Sequence, residues 1–576
     1  VERGSIDIDE GRIAFAEDTL SVYGAVSFGS AEPTLDLLFA DEDVSAHFLT
    51  ALFPSEKRSE LLPLVEGDLD VMVQLQGGGG AQPSLRGSVR LRDVAVRIRG
   101  EPLVDQVTGL VALSADSITL DSLAGRFAGG PFELSGTVER QAGVATFVAR
   151  GEPDLDSFDR LGLLPDGVTL AGDADLHVSI AGPIVALDSI DVVGTARLSG
   201  LQLEHGRLGV PLYVPAGELS VLGREAHWSD VEVLLGEDRV TTTGAIRDLF
   251  DLWPRSERPP HVEMSLAASR LDLDAAFPAA DTTSGATYAQ LAFAHLGGRV
   301  VEGSTAATVA TARRLARPAR LPARGAIEVS VDTLLYRRHA LGAVTARLVL
   351  ADTALDVPEA AFAAWGGSGS GALRLGVGAR PAEPFALSLS LEGIDAAPFL
   401  QAMSPVGESV SGTLDLALEV HGSTDVTLLP LAEGLVGRVG ISLANGQVAG
   451  TGVNMALADF LGSDTWLNVP FDVWVLEIDV EDRMLDIREA SLSGDEGDVV
   501  FSGPLRLDGS ADLSMGVSIP SRRLGDVSLR RTGIGQSVLE RLRAAGGSLD
   551  LGLRLSGWLQ APSLEPDASN AVALAR

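Results

Sequence analysis

Gly412-Thr413-Leu414-Asp415-Leu416-Ala417-Leu418-Glu419-Val420-His421-Gly422 carries Leu or Val at every second position between two glycines. Successive side chains of a strand point to opposite faces, so this spacing gives one apolar face and one wet face. The same alternation returns in Leu69, Val71, Val73 and Leu75, in Leu176, Val178 and Ile180, in Leu387, Leu389 and Leu391, and in Leu549, Leu551, Leu553 and Leu555. Together with Leu414, Leu416, Leu418 and Val420, these are the candidate residues of an apolar lining. Strand-length runs separated by Gly, Asp, Asn or Ser turns recur through most of the chain, which predicts a mainly β, antiparallel protein.

Outward from this stretch the chain repeats itself loosely. A short helix-like segment with a proline is followed by a glycine and then by an alternating strand that ends at glycine. One copy runs from Val44 through Pro63 to Gly67 and Gly77, and another from Asp154 through Leu161 and Pro165 to Gly172 and Gly182. A third runs from Ile394 through Phe399, Leu400 and Pro405 to Gly412 and Gly422. The spacing fits a unit of about 120 residues, as in tandem supersecondary units stacked edge to edge. A further copy is expected to start at Leu271-Asp272-Leu273-Asp274 and Phe277-Pro278, where an Ala/Thr/Arg-rich stretch interrupts it as helix plus linker. Glycine turns close the units at Gly129-Gly130, Gly236, Gly366-Gly367 and Gly494. The expected organisation is repeated β-units over 1–282, the insertion over 283–324, and a C-terminal region over 325–576.

A sheet with one apolar face must cover that face, and one short helix per unit is too little cover. The solutions are a sandwich, a closed barrel, or an elongated, curled sheet whose open groove or half-pipe meets a ligand. Leaving the face wet would cost about 25 cal/mol per Å². A sheet of some 20–25 strands at roughly 4.8 Å spacing would extend on the order of 100 Å, which suits a chain-like apolar ligand better than a compact metabolite.

Composition removes several classes of function. The 576 residues carry a formal net charge of −35, which repels phosphates at long range and argues against nucleic acid. Hydrophobic residues make up 45% of the chain, enough to build a core. The absence of cysteine removes disulfides, thiolate metal sites and thiol nucleophiles. Lys57, in Ser55-Glu56-Lys57-Arg58, lacks the glycine context of a phosphate-binding loop. No apolar run is long enough for a transmembrane helix. Val1-Glu2-Arg3-Gly4 has neither an initiator Met nor a signal pattern, so a longer, processed chain is expected.

The remaining motifs read as structure. His205, His227 and His261 show no metal-ligand spacing and no closely spaced carboxylate partner. Asp41-Glu42-Asp43, Asp272/Asp274 and Asp479/Glu481/Asp482 miss the spacing of a calcium loop and suit the wet face of strands. Gly77 to Gly80 and Gly366 to Gly371 read as turns, not as a phosphate loop or a nucleophile elbow. Gln536 to Arg543 places Val538, Leu539 and Leu542 on one helical face, fit to pack on the last strands or cap a groove. No catalytic constellation, metal site or cofactor emerges, so the expectation is a protein that is not an enzyme.

The helix, proline, glycine and alternating-strand pattern resembles the AsmA-like proteins of Gram-negative envelopes. The C-terminal region carries the resemblance best. Asn445-Gly446-Gln447-Val448 with Gly452-Val453-Asn454-Met455-Ala456-Leu457 looks like a segment of that family. So do Val500-Phe501-Ser502-Gly503-Pro504-Leu505-Arg506-Leu507 and the ending Leu551-Gly552-Leu553-Arg554-Leu555-Ser556-Gly557 with Pro562-Ser563-Leu564-Glu565-Pro566. The resemblance implies bridge-like lipid transport, in which a long β-groove carries phospholipid between inner and outer membranes or supports outer-membrane assembly. It also implies a periplasmic location, with tethering to the inner membrane by a segment outside this chain. Acyl chains would lie on the Leu/Val/Ile rows and headgroups toward the open side. An outer-membrane barrel fits less well, for only 4 Tyr and 6 Trp are available for aromatic girdles. The alternative is an extracellular or periplasmic β-sandwich, a binding or structural module with sealed cores.

Overall fold

In the computed structural model, described residues run from 4 to 567, excepting 16–17, 30–32, 47–63, 79–83, 99, 163, 165–166, 184–189, 206–207, 249–258, 277–320, 322, 337–338, 379, 381, 404–408, 426–429 and 528–535. The chain divides into two compact units, Val1–Met264 and Ser265–Arg576. The first holds β1 (Gly4–Phe15), β2 (Asp18–Phe28), β3 (Thr34–Ser45), β4 (Leu64–Gly77), β5 (Ser84–Ile98), β6 (Glu101–Leu113), β7 (Ser117–Phe127), β8 (Gly130–Glu139) and β9 (Val144–Gly151). Helix α1 (Asp156–Arg160) follows, then β10 (Val168–Pro183), β11 (Asp191–His205), β12 (Leu212–Leu222), β13 (Glu225–Leu235) and β14 (Asp238–Arg247). Strand β15 (His261–Asp272) spans the division and runs into α2 (Leu273–Ala276). The second unit continues with β16 (Arg324–Tyr336), β17 (His339–Ala351), β18 (Ala354–Ala364), β19 (Gly367–Gly376), β20 (Glu383–Asp395), α3 (Ala396–Met403), β21 (Val410–Thr424) and β22 (Val436–Ala449). It ends with α4 (Gly452–Leu461), β23 (Asn468–Glu481), β24 (Met484–Gly494), β25 (Gly497–Arg506), β26 (Ser510–Pro520), α5 (Gln536–Ala545), β27 (Ser548–Trp558) and β28 (Ala561–Pro566).

Within each unit the strands pair antiparallel in chain order, β1 with β2 through to β14, and β16 with β17 through to β28. The protein is mainly β, with long open antiparallel sheet and a few short helices, as the alternation predicts. Thirteen spacings of about 4.8 Å give the first unit roughly 60 Å of sheet, measured along its arc. Tight two-residue turns keep neighbours adjacent. Ala128-Gly129 and Trp365-Gly366 each have positive φ at both positions, as turns matched to strand twist require.

Curvature comes from bulges. Register shifts fall at Asp41/Val44, Leu91/Val94, Leu120/Leu123, Trp228/Val231 and Leu391/Ile394. The extra residue in each is left-handed: Asp43, Asp93, Ser122, Asp230 and Gly393. Each bulge adds local twist and bends its strand. The repeat glycines Gly67, Gly172 and Gly412 share this role, with φ of 112°, 116° and 130° and a facing backbone too close for a side chain. The predicted helix-like segments at 154–161 and 394–400 appear as α1 and α3, and the expected further copy starts with α2. At the first copy only Val44 to Ala46 are described. Pro63, Lys57, Pro165, Pro405 and nearly all of the insertion over 283–324 lie outside the described residues.

Candidate functional site: an apolar face and its cover

Register assigns every predicted lining residue to the apolar face. In the first unit a row of directly opposed residues crosses eight strands: Val71, Val89, Val111, Leu120, Gly136, Phe147, Ile180 and Val192. Leu69, Val71 and Val73 are buried in a cluster with Val44, Val94, Val107 and Leu123, whereas Leu75, Leu176, Val178 and Ile180 are half-buried. In the second unit one row runs Leu391, Leu416, Ile441, Leu476, Ala490, Phe501, Met515, Leu553. A parallel row runs Gly371, Leu389, Leu418, Val439, Ile478, Ile487. Neither row contains a charged or hydrogen-bonding side chain.

Aromatic rings smooth these rows. Phe132 faces Gly125, Phe147 faces Gly136, Trp228 faces Gly244, Phe362 faces Gly369, Phe385 faces Gly422 and Phe471 faces Gly446. In each pair a ring atom occupies the place a Cβ would take. The ring thus covers bare backbone on the opposite strand, a cross-strand packing device that also fixes register.

The other face is wet and ion-paired. Arg197 meets Glu218 at 3.3 Å, Arg374 meets Asp356 at 3.4 Å and Arg438 meets Asp479 at 3.5 Å, each pair directly opposed across neighbouring strands. Such exposed pairs contribute at most about 1 kcal/mol each. His227 and His261 do have carboxylate neighbours, correcting the sequence reading: they lie 3.3 Å from Glu225 and Glu263. Period-two spacing puts His and Glu on the same wet face, a consequence that metal-motif spacing does not capture. A depression of about 560 Å³ is lined by Val349, Ala372, Ala386, Asp356, Arg374, Ser388, Glu419 and His421, and in part by Leu387 and Val420. Register places most of these residues on the wet face.

Cover of the apolar face is uneven. Leu387, Leu389, Leu416, Leu418 and Val420 are half-buried, with Leu391 and Leu414 buried beside α3. Leu549, Leu551, Leu553 and Leu555 are 1–6% exposed, within one large buried cluster. The cover there is the chain's own. Leu457, Phe460 and Leu461 of α4, Trp466 of the 3-10 turn Asp464–Leu467, and Leu524 of the 3-10 turn Ser521–Asp526 belong to that cluster. Thr451 caps α4 by accepting from the Asn454 amide, and Asn454 Nδ2 donates to the Trp466 carbonyl at 3.0 Å. Gly452 lies against the Leu559–Gln560 backbone, which seats the helix on the β27–β28 turn. The buried Trp474 indole N–H, on the apolar face of β23, has no acceptor. The sequence helix at Gln536–Arg543 forms as α5, but Val538, Leu539 and Leu542 lie outside the described side chains.

The sequence reading did not single out β22, whose short alternating run Val439, Ile441 and Leu443 completes the rows but is bounded by Gly437 and Gly446. Among the described residues, no helix is long and apolar enough to cross a membrane, and no group of three or more His, Asp or Glu could hold a metal. Compared with protein-family models, curated proteins and solved structures, the chain matches none.

Proposed function

We propose that this chain is a non-enzymatic, lipid-binding protein of the cell envelope, which holds phospholipid acyl chains on its apolar rows for intermembrane lipid transport or outer-membrane assembly. The observation that carries this reading is the row Leu389, Leu418, Val439 and Ile478: four strands of uncharged, half-buried aliphatic lining. A peptide laid on it would leave its backbone groups unsatisfied, whereas a hydrocarbon chain needs no partner. Each methylene placed there gains about 0.8 kcal/mol, and a uniform row offers no deep trap to halt sliding. The AsmA-like resemblance supplies the periplasmic setting, the inner-membrane tether and the two membranes as partners; these are parts of the same proposal.

A chain with both Leu389→Asp and Leu418→Asp tests it. Both positions are half-buried, so the far-ultraviolet circular dichroism stays that of the parent, while copurifying phospholipid per mole falls severalfold. An unchanged lipid load in the folded variant contradicts the reading. The alternative, a module with sealed cores, is favoured by one observation, the buried cluster around Leu549 to Leu555.

A further inference from the structure

The first strand and the last each have a strand neighbour on one side only among the described residues, β2 for β1 and β27 for β28. The two free edges are built differently. At β28 the Asp567 amide donates to the Gly552 carbonyl at 2.9 Å. Antiparallel pairs alternate between bonded and non-bonded positions, so Glu565, Ser563 and Ala561 turn their amides toward β27, while Pro562, Leu564 and Pro566 turn outward. Proline has no N–H, so two of these three outward positions offer no donor to a further strand. Leu564 packs against the buried cluster, and α4 lies against the same strand. Prolines and a covering helix close a sheet edge to strand addition.

Strand β1 has neither device. Gly4–Phe15 contains no proline, and its packing neighbour is β2. Its bulge at Ile8/Gly11 is of the kind that recurs inside the sheet at Asp41/Val44 and Leu91/Val94, so it does not mark an end. Register puts Ile6 in one row with Val26 and Leu35. Those two are half-buried, whereas Ile6 is 57% exposed, and Phe28 and Ile13 on the same face are 40% and 37% exposed. On the wet face Asp7 stands opposite Ala25, and among the described residues neither Asp7 nor Asp9 has a basic partner. Acids inside the sheet do: Asp70 lies opposite Arg90 and 2.8 Å from Arg92, and Glu66 is 2.9 Å from Arg97.

We infer that the outer edge of β1 is a strand-addition surface, and that its partner is an extended segment of another protein with apolar residues on one face and Arg or Lys on the other. Such a strand pairs the backbone groups along the edge, continues the row of Ile6, Val26 and Leu35, and sets a cation beside Asp7. A second copy fits poorly: its β28 edge is closed, its β1 repeats the same acids, and each chain carries a net charge of −35. The inference does not depend on the lipid reading.

The probe is a fluorescein-labelled peptide of the β5 stretch Ser84-Leu85-Arg86-Gly87-Ser88-Val89-Arg90-Leu91-Arg92, whose odd positions are apolar or glycine and whose even positions are Ser or Arg. Added to the full chain, it is expected to bind saturably by fluorescence anisotropy and to slow amide hydrogen exchange over Gly4–Phe15, with β28 unchanged. Asp7→Arg combined with Asp9→Arg weakens binding on the order of tenfold, because cross-strand attractions become repulsions. Glu489→Arg combined with Asp498→Arg makes the same change of charge on the wet face of the second unit and leaves binding at the parent value. Slowed exchange confined to other strands, equal weakening by both double variants, or no saturable binding overturns the inference. Slowed exchange over β1 that rises with protein concentration in the absence of peptide overturns the choice of partner in favour of a second copy.

Discussion

Leu416 and Leu551 carry the lesson at the residue scale. Each sits in a run of alternating leucines, and nothing within five residues of either tells them apart. In the structure Leu416 is half-buried, whereas Leu551 is 6% exposed inside a sealed core. Leu551 lies inside the cluster that α4, Trp466 and Leu524 help to build, and Leu416 packs at the edge of that same cluster, so local pattern assigns the face of a residue but not its cover. On the wet face, Arg554 donates two bonds to Asp512, at 2.7 and 2.6 Å, which hold the Asp512 carboxyl below its usual value of 3.8. A depressed carboxylate contributes stability above its unfolded value and loses it as pH falls through the folded value. In an Arg554→Gln variant, carboxyl-selective ¹³C NMR is expected to find the Asp512 titration moved upward. The melting-temperature difference from the parent, present at neutral pH, vanishes in strong acid. A titration that does not move refutes the pairing.

Elements show what the alternating pattern reveals and what it leaves out. Strands β4, β10, β20, β21 and β27 are legible because each holds an unbroken period of two. The helix segments at 154–161 and 394–400 are legible because they interrupt it. Strand β22 is harder to read, since its alternation is confined to Val439, Ile441 and Leu443 and gives way to glycine on either side: Gly446 lies under the ring of Phe471. Helix α4 carries a different kind of information, being short, apolar and capped. Removing the Thr451 cap with Thr451→Ala is expected to destabilise the second unit by about 1 kcal/mol, read by chemical denaturation. Lipid load should not change, because the cap lies on α4, within the buried cluster, and not on the half-buried rows. A lipid load that falls in step with stability would place α4 within the binding surface.

For the whole molecule, taken unit by unit, the sequence anticipates an open, curled antiparallel sheet, and bulges at Asp43, Asp93, Ser122, Asp230 and Gly393 supply the physical cause of the curl. Acidity belongs to the wet face, where aspartate and glutamate alternate with the apolar rows and pair with arginine; a net charge far from zero opposes association of such sheets. What the pattern could not yield is the division of the apolar face into open and sealed stretches, which follows from long-range packing. The central claim is that the open stretches hold lipid. The measurement that tests it most directly is mass spectrometry of organic extracts from the purified, folded chain, quantified per mole of protein. The account predicts phospholipid at more than one molecule per chain. A folded, monodisperse sample free of lipid would contradict it and leave the apolar faces as sealed structural cores.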